Sequence, residues 1–170
     1  MDDTEEVRAY PHRSGFTLAE CMLAMAVLAA MAFALSSAIT AAQGQSSQLA
    51  HSQQATMLAE ELMERILALP YYDPHGSVIP GPDAGETGPA NFDNADDYHG
   101  FTESAGQLRD RAGSLYPREF QVFSRSVSAQ YGTTSLGVLG SIPCLNVTVT
   151  VQNQQGRGWT LTRMIPQPAT

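Results

Sequence analysis

From Cys21 to Leu35 the chain holds no charged side chain and no polar one beyond Cys21 itself, and Ile39, Ala41 and Ala42 carry the apolar character further. Counted from Phe16 to Leu18 onward, the tract reaches roughly 25 residues, enough to cross a hydrocarbon core of about 30 Å as a helix. A run this long would dominate the modest core available to a chain of 170 residues, so a membrane span is expected in preference to a buried core helix. Arg8 and Arg13 precede the tract and no basic residue follows until Arg65. The positive-inside rule then places the N-terminus in the cytoplasm and the remainder on the exported side of the membrane.

A secretory signal peptide would end in a small-residue cleavage site, which Ser36, Ser37 and Ala38 offer. The helical pattern nevertheless runs on past them. No proline occurs between Phe16 and Pro70, and Gly44 is the one glycine in that interval, so stop signals are sparse. The reading is one continuous helix of about 54 residues, near 80 Å at 1.5 Å per residue. Its second half is amphipathic. Leu49, Met57, Leu58, Leu62, Met63, Ile66 and Leu69 recur at three- and four-residue steps and are expected to form one stripe that docks a C-terminal domain. Glu60, Glu61, Glu64 and Arg65 lie mostly off it, with Glu61 and Arg65 spaced as a favourable pair, and His51 is expected on the solvated side.

Glu20 stands almost at the start of the apolar tract. An ionised carboxylate at the edge of a bilayer costs several kcal/mol unless it is paired or lifted to the interface, which makes it a functional candidate. Gly15-Phe16-Thr17-Leu18-Ala19-Glu20 followed by the tract resembles the processing signal of type IV pilins and type II secretion pseudopilins. The resemblance implies that a prepilin peptidase cuts after Gly15, that the new amine of Phe16 is N-methylated, and that the tract is retained. It implies that Glu20 pairs with the Phe16 amine of a neighbouring subunit. Two opposite charges at an apolar boundary cost less together than apart. It further implies other pilin or pseudopilin subunits, an inner-membrane assembly platform and membrane lipid as partners, with a filament after assembly. Head-to-tail contacts that do not close generate an open fibre, and Ala24, Ala26, Ala29, Ala30, Ala32 and Ala34 would let helices approach closely. The chain lacks the proline that many type IVa pilins carry near the depth of Ser37, and "ATMLAEELMERILAL" resembles the helix of V-type minor pilins and I-type minor pseudopilins. A minor subunit is the reading within the family.

The expected organisation is a leader over 1–15, a transmembrane or filament-core half-helix over 16–42, an amphipathic half-helix over 43–69 and a loop-rich β domain over 70–170. Residues 70–117 are rich in Pro, Gly and Asp. "FDNADDYHG" gathers Asp93, Asn94, Asp96 and Asp97 beside His99, with Asp73 and His75 upstream. Such oxygen ligands suit calcium. The spacing fails the EF-hand pattern, since Tyr98 stands where its glycine belongs and Ser104 where its glutamate belongs. Turn-forming aspartates in a solvated loop are expected instead, and no metal or other cofactor. A membrane-anchored calcium- or ligand-binding module that does not polymerise is the alternative function.

"REFQVFSRSVSAQY", "CLNVTVTVQ" and "WTLTRMI" read as strands, with "GTTSLGVLGSIP" and "NQQGRG" as the connections. Trp159, Leu161 and Ile165 share one phase with Arg163. The fold class is α+β: a long N-terminal helix packed on an antiparallel sheet of three or four strands. Asn146-Val147-Thr148 matches a glycosylation triplet but falls mid-strand. Cys21 and Cys144 are expected as free thiols. No HExxH, P-loop or GxSxG motif is present, so no enzyme is expected. The 9 basic residues, all arginine, stand against 17 acidic ones for a net charge of −8, which argues against a nucleic-acid groove.

Overall fold

The computed structural model describes residues 15–74, 79–135, 137 and 140–168. One helix, α1, spans Leu18–Leu67 without a break. Four antiparallel strands follow, β1 (Thr102–Glu103), β2 (Phe123–Ser135), β3 (Ser141–Asn153) and β4 (Gly158–Pro166), in the spatial order β1-β2-β3-β4. This is the α+β architecture expected. The chain divides into two compact units, Met1–Ser47 and Gln48–Thr170.

In the first unit the helix is apolar and exposed throughout its described residues. It reaches a mean hydropathy of 2.2, long and apolar enough to cross a membrane. Three of its hydroxyls, on Ser37, Thr40 and Ser47, are satisfied within the helix. Ser37 Oγ donates to the Phe33 carbonyl at 2.9 Å and Thr40 Oγ1 to that of Ser36 at 3.0 Å, so neither presents a bare donor to an apolar surrounding. The leader, Arg8 and Arg13 lie outside the described residues, apart from Gly15.

In the second unit the helix buries Ala55, Leu58, Ala59, Leu62, Met63 and Ile66. Their partners are Phe123, Val127, Ala129, Leu145, Val147, Val149 and Val151 on alternate positions of β2 and β3, as the pleat requires. The expected stripe is corrected at two positions. Leu49 is 66% and Met57 58% exposed. The buried arc is centred on Ala55, Leu62 and Ile66, and at about 100° per residue Met57 falls roughly 200° from Ala55, on the opposite side of the helix. His51 is also less solvated than expected, half-buried with its ring edge-on to Phe123 at 5.9 Å.

The strands differ from expectation at their ends. Arg118, Glu119 and Phe120 form turns rather than strand, closed by Phe120 N–H to Pro117 O and Gln121 N–H to Arg118 O. The Gln121 side chain then ties Leu108 and Tyr116 to the start of β2. At the other end β2 and β3 extend into the expected loop, pairing as far as Ser135 with Ser141. Gly137 and Gly140, with φ of 67° and 96°, take the left-handed conformations that let the reversal be this short.

One buried group crosses the whole unit. Arg125 lies on the inner face of β2 and is 1% exposed. Its Nε donates to Glu103 Oε2 at 2.7 Å, and one terminal nitrogen to Glu61 Oε2 at 2.8 Å and the Leu58 carbonyl at 3.3 Å. The other terminal nitrogen reaches the Arg109 carbonyl at 2.8 Å. The Tyr116 ring lies 5.6 Å from the guanidinium carbon. Glu61 also receives Arg65 at 2.6 Å, the pair expected from spacing. Removing the guanidinium would leave Glu103 largely buried without its cation and Glu61 with Arg65 alone. Arg125→Ala is expected to destabilise the unit by about 3–5 kcal/mol. Denaturant unfolding of the full chain in detergent, followed by the fluorescence of Trp159, its single tryptophan, reads that loss.

Candidate functional site

The described chain begins at Gly15 and Phe16, the residues at which cleavage is expected from the sequence. Gly15 and Phe16 are exposed, and Phe16 is 87% accessible. Thr17 and Glu20 then close the start of α1 reciprocally. The Thr17 N–H and hydroxyl both donate to Glu20 Oε2 at 2.8 Å, and the Glu20 N–H donates back to Thr17 Oγ1 at 3.3 Å. This is a capping box, which satisfies helix donors that have no carbonyl one turn earlier. Glu20 is therefore not a bare carboxylate. Both donors fall on Oε2, while a carboxylate offers about four lone-pair sites, so Oε1 can still accept a further donor. The TLAE spacing carries the capping-box signal, which the sequence reading passed over.

The Asp-rich segment is a different construction from a solvated loop. Asn94, Asp96 and Asp97 are each at most 2% exposed. Asn94 Oδ1 accepts the N–H groups of Asp96 and Asp97, and Asp97 Oδ2 accepts those of Asp93 and Asn94. The turn-forming role is as expected; the solvation is not. Phe92, Tyr98 and Phe101 pack edge-on around the segment, at 4.9 and 5.5 Å between successive rings. His99 Nδ1 accepts the Ala129 N–H at 3.1 Å, fixing the segment to β2. Asp73 lies apart in sequence and is half-buried, and His75 is outside the described residues.

Glu86, Asp93 and Asp97 bring carboxylate oxygens within 4.8 Å of one another. Three carboxylates are the donor chemistry of a hard cation such as calcium, although one Asp97 oxygen already accepts two backbone donors. Burial pushes the Asp97 carboxyl above its ordinary 3.8, against those backbone donors, with Glu86 adding to the rise. Asp96 is raised by burial too, opposed by the Tyr131 hydroxyl beside it. Burial and Asp96 in turn raise Tyr131.

A carboxyl raised in this way holds its proton more tightly folded than unfolded. Its contribution to stability is full below the unfolded value and is lost as pH rises through the folded one. Asp96→Asn removes that loss. The variant is expected to melt above the parent at pH 8, where the buried Asp96 carboxyl must ionise and the amide need not. The difference should shrink as the pH is lowered toward the ordinary carboxyl value of 3.8. Melting curves of both proteins, read by Trp159 fluorescence, test the trend.

Residues 10–36 match the family of the prokaryotic N-terminal methylation motif, the signal of type IV pilins and pseudopilins. No curated protein and no solved structure matches the chain. The matched span takes in Gly15, Phe16, the capping box and most of the apolar tract. The motif and the apolar helix fit an inner-membrane-anchored precursor of the pilin or pseudopilin type, and the motif implies processing by prepilin peptidase and assembly with other pilin subunits.

Proposed function

We propose that the chain is a minor subunit of a type IV pilus or type II secretion pseudopilus. It is inserted with its N-terminus cytoplasmic, cut between Gly15 and Phe16, methylated at the Phe16 amine and assembled through Glu20. The observation that carries this reading is the match of the methylation motif to residues 10–36. Gly15 supports the cut, because a residue without a side chain leaves the scissile bond accessible, and the bond lies in the exposed stretch before the first turn of α1. The minor assignment rests on the likeness of residues 55–69 to minor-subunit helices.

The chemistry at the new N-terminus follows from the cap. Cleavage turns the Phe16 amide nitrogen into an amine that stays cationic near neutral pH. An incoming subunit brings Glu20 with Oε2 held by its own Thr17 and Oε1 available to a neighbour's Phe16 amine. The cap thus orients the carboxylate before the partner arrives. Assembly then buries apolar helix surface that is exposed among the described residues of one chain.

Two substitutions separate the charge from the cap. Glu20→Leu removes both; Glu20→Gln keeps an acceptor for the Thr17 N–H and removes the charge. Membrane insertion should survive in each, since a charge leaves an apolar segment. Crosslinking between neighbouring subunits in membranes should fall at least roughly tenfold in both, as expected when one partner of a desolvated pair is lost. Wild-type crosslinking in Glu20→Gln would assign Glu20 to the cap alone.

A further inference from the structure

The two edges of the sheet are treated differently. On the β2 side the edge is covered from Arg125 to Ala129. Thr102 and Glu103 pair with Ser126 and Arg125, Gly100 N–H donates to Val127 O, and Val127 N–H donates to Phe101 O. Where the backbone of this segment turns away, the His99 ring takes over and accepts the Ala129 N–H. On the β4 side no such cover exists among the described residues, where β4 pairs with β3 alone.

The hydrogen-bond phase tells which groups that edge offers. Asn153 N–H donates to Arg157 O and Gln167 N–H to Pro143 O. In the antiparallel register of β3 and β4, residues 159, 161, 163 and 165 therefore bond inward to β3. Residues 158, 160, 162 and 164 turn their N–H and C=O groups outward, because the two sets alternate. No described group accepts from or donates to the outward backbone of Thr160, Thr162 or Met164. A strand of nine residues whose only proline is its last, Pro166, is an edge left able to pair. Trp159, Leu161 and Ile165 stay partly exposed along it.

We infer that β4 accepts an added strand from a different protein, one carrying a carboxylate opposite Arg163. Charge selects the occupant. The stretch from Arg157 to Pro166 contains two arginines and no acidic residue. Arg163 is exposed and makes no ion pair among the described residues. A second copy paired antiparallel about Thr162 would set the two Arg163 side chains on a diagonal of about 7–8 Å, like charge against like. An acidic residue opposite Arg163 sits instead in a non-hydrogen-bonded pair, where facing side chains are closest. The neighbouring inner-phase positions, opposite Leu161 and Ile165, call for apolar residues, and the positions between them for hydroxyls.

The peptide Val-Thr-Glu-Thr-Val-Thr-Val embodies that pattern and serves as the probe against the full chain in detergent. Binding is followed by fluorescence anisotropy and by amide hydrogen exchange. The peptide is expected to bind and to slow exchange at Thr160, Thr162 and Met164. Replacing its Glu by Lys should weaken binding roughly tenfold or more, and Arg163→Glu should invert the preference. Thr162→Pro removes an outward donor that β3 does not use. It should abolish binding while leaving Trp159-detected melting in place. Failure of the Glu peptide to bind at about 1 mM, or equal binding of the Lys peptide, would overturn the inference. So would self-association of the chain that Thr162→Pro removes, which would make a second copy the occupant.

Discussion

The guanidinium of Arg125 is the point on which the second unit depends. It carries a charge into a site that is 1% exposed and engages acceptors from four parts of the chain: α1 through Leu58 and Glu61, β1 through Glu103, the following loop through Arg109, and the Tyr116 ring. Buried ion pairs are poor sources of net stability, because desolvation offsets most of the attraction. Their geometry is nevertheless demanding. Only one arrangement of helix, short edge strand and loop satisfies five donors of a planar fork. Arg125 thereby fixes how the helix sits on the sheet and why β1 pairs where it does. With β1 in place, residues 99–103 cover the β2 edge from Arg125 to Ala129, and β4 is left uncovered among the described residues.

The helix joins two opposite physical situations. From Ala55 to Ile66 its apolar face meets a sheet and is buried. From Leu18 to Ser47 its apolar side chains are exposed among the described residues, with Phe33 at 77% and Met25 at 71%. Such surface is unfavourable in water and is accommodated by lipid or by other apolar helices. Internal back-bonding of Ser37 and Thr40 suits either setting. The capping box at Thr17 and Glu20 ends the segment with a carboxylate that is satisfied on one oxygen and available on the other.

Much of this was legible from residue order, for physical reasons that also mark where legibility stops. The helix followed from the absence of proline and from apolar spacing. The strand over residues 144–152 followed from strict alternation, and its observed burial alternates likewise, from Leu145 to Val151. Met57 was misplaced because it is apolar and adjacent to Leu58, and pattern alone does not say which of two neighbours turns inward. Arg125 went unnoticed because arginine is ordinarily read as surface. The signal was its phase, shared with Phe123, Val127 and Ala129 on the inner side of β2. The Asp-rich segment misled in the same way, since short polar side chains that bond their own backbone can be buried at little cost. In the candidate site, Gly15, Phe16 and Glu20 stood out by motif. The role of Thr17 needed the geometry.

Retention of the N-terminal tract in a processed subunit is the central proposal, and mass spectrometry of the N-terminus from membrane fractions tests it most directly. The mature chain is expected to begin at Phe16 with a methylated amine, and Gly15→Val should leave it uncut. A chain that begins at Met1 in the presence of active peptidase, or near Ala38 as a secretory cleavage would leave it, would contradict the account.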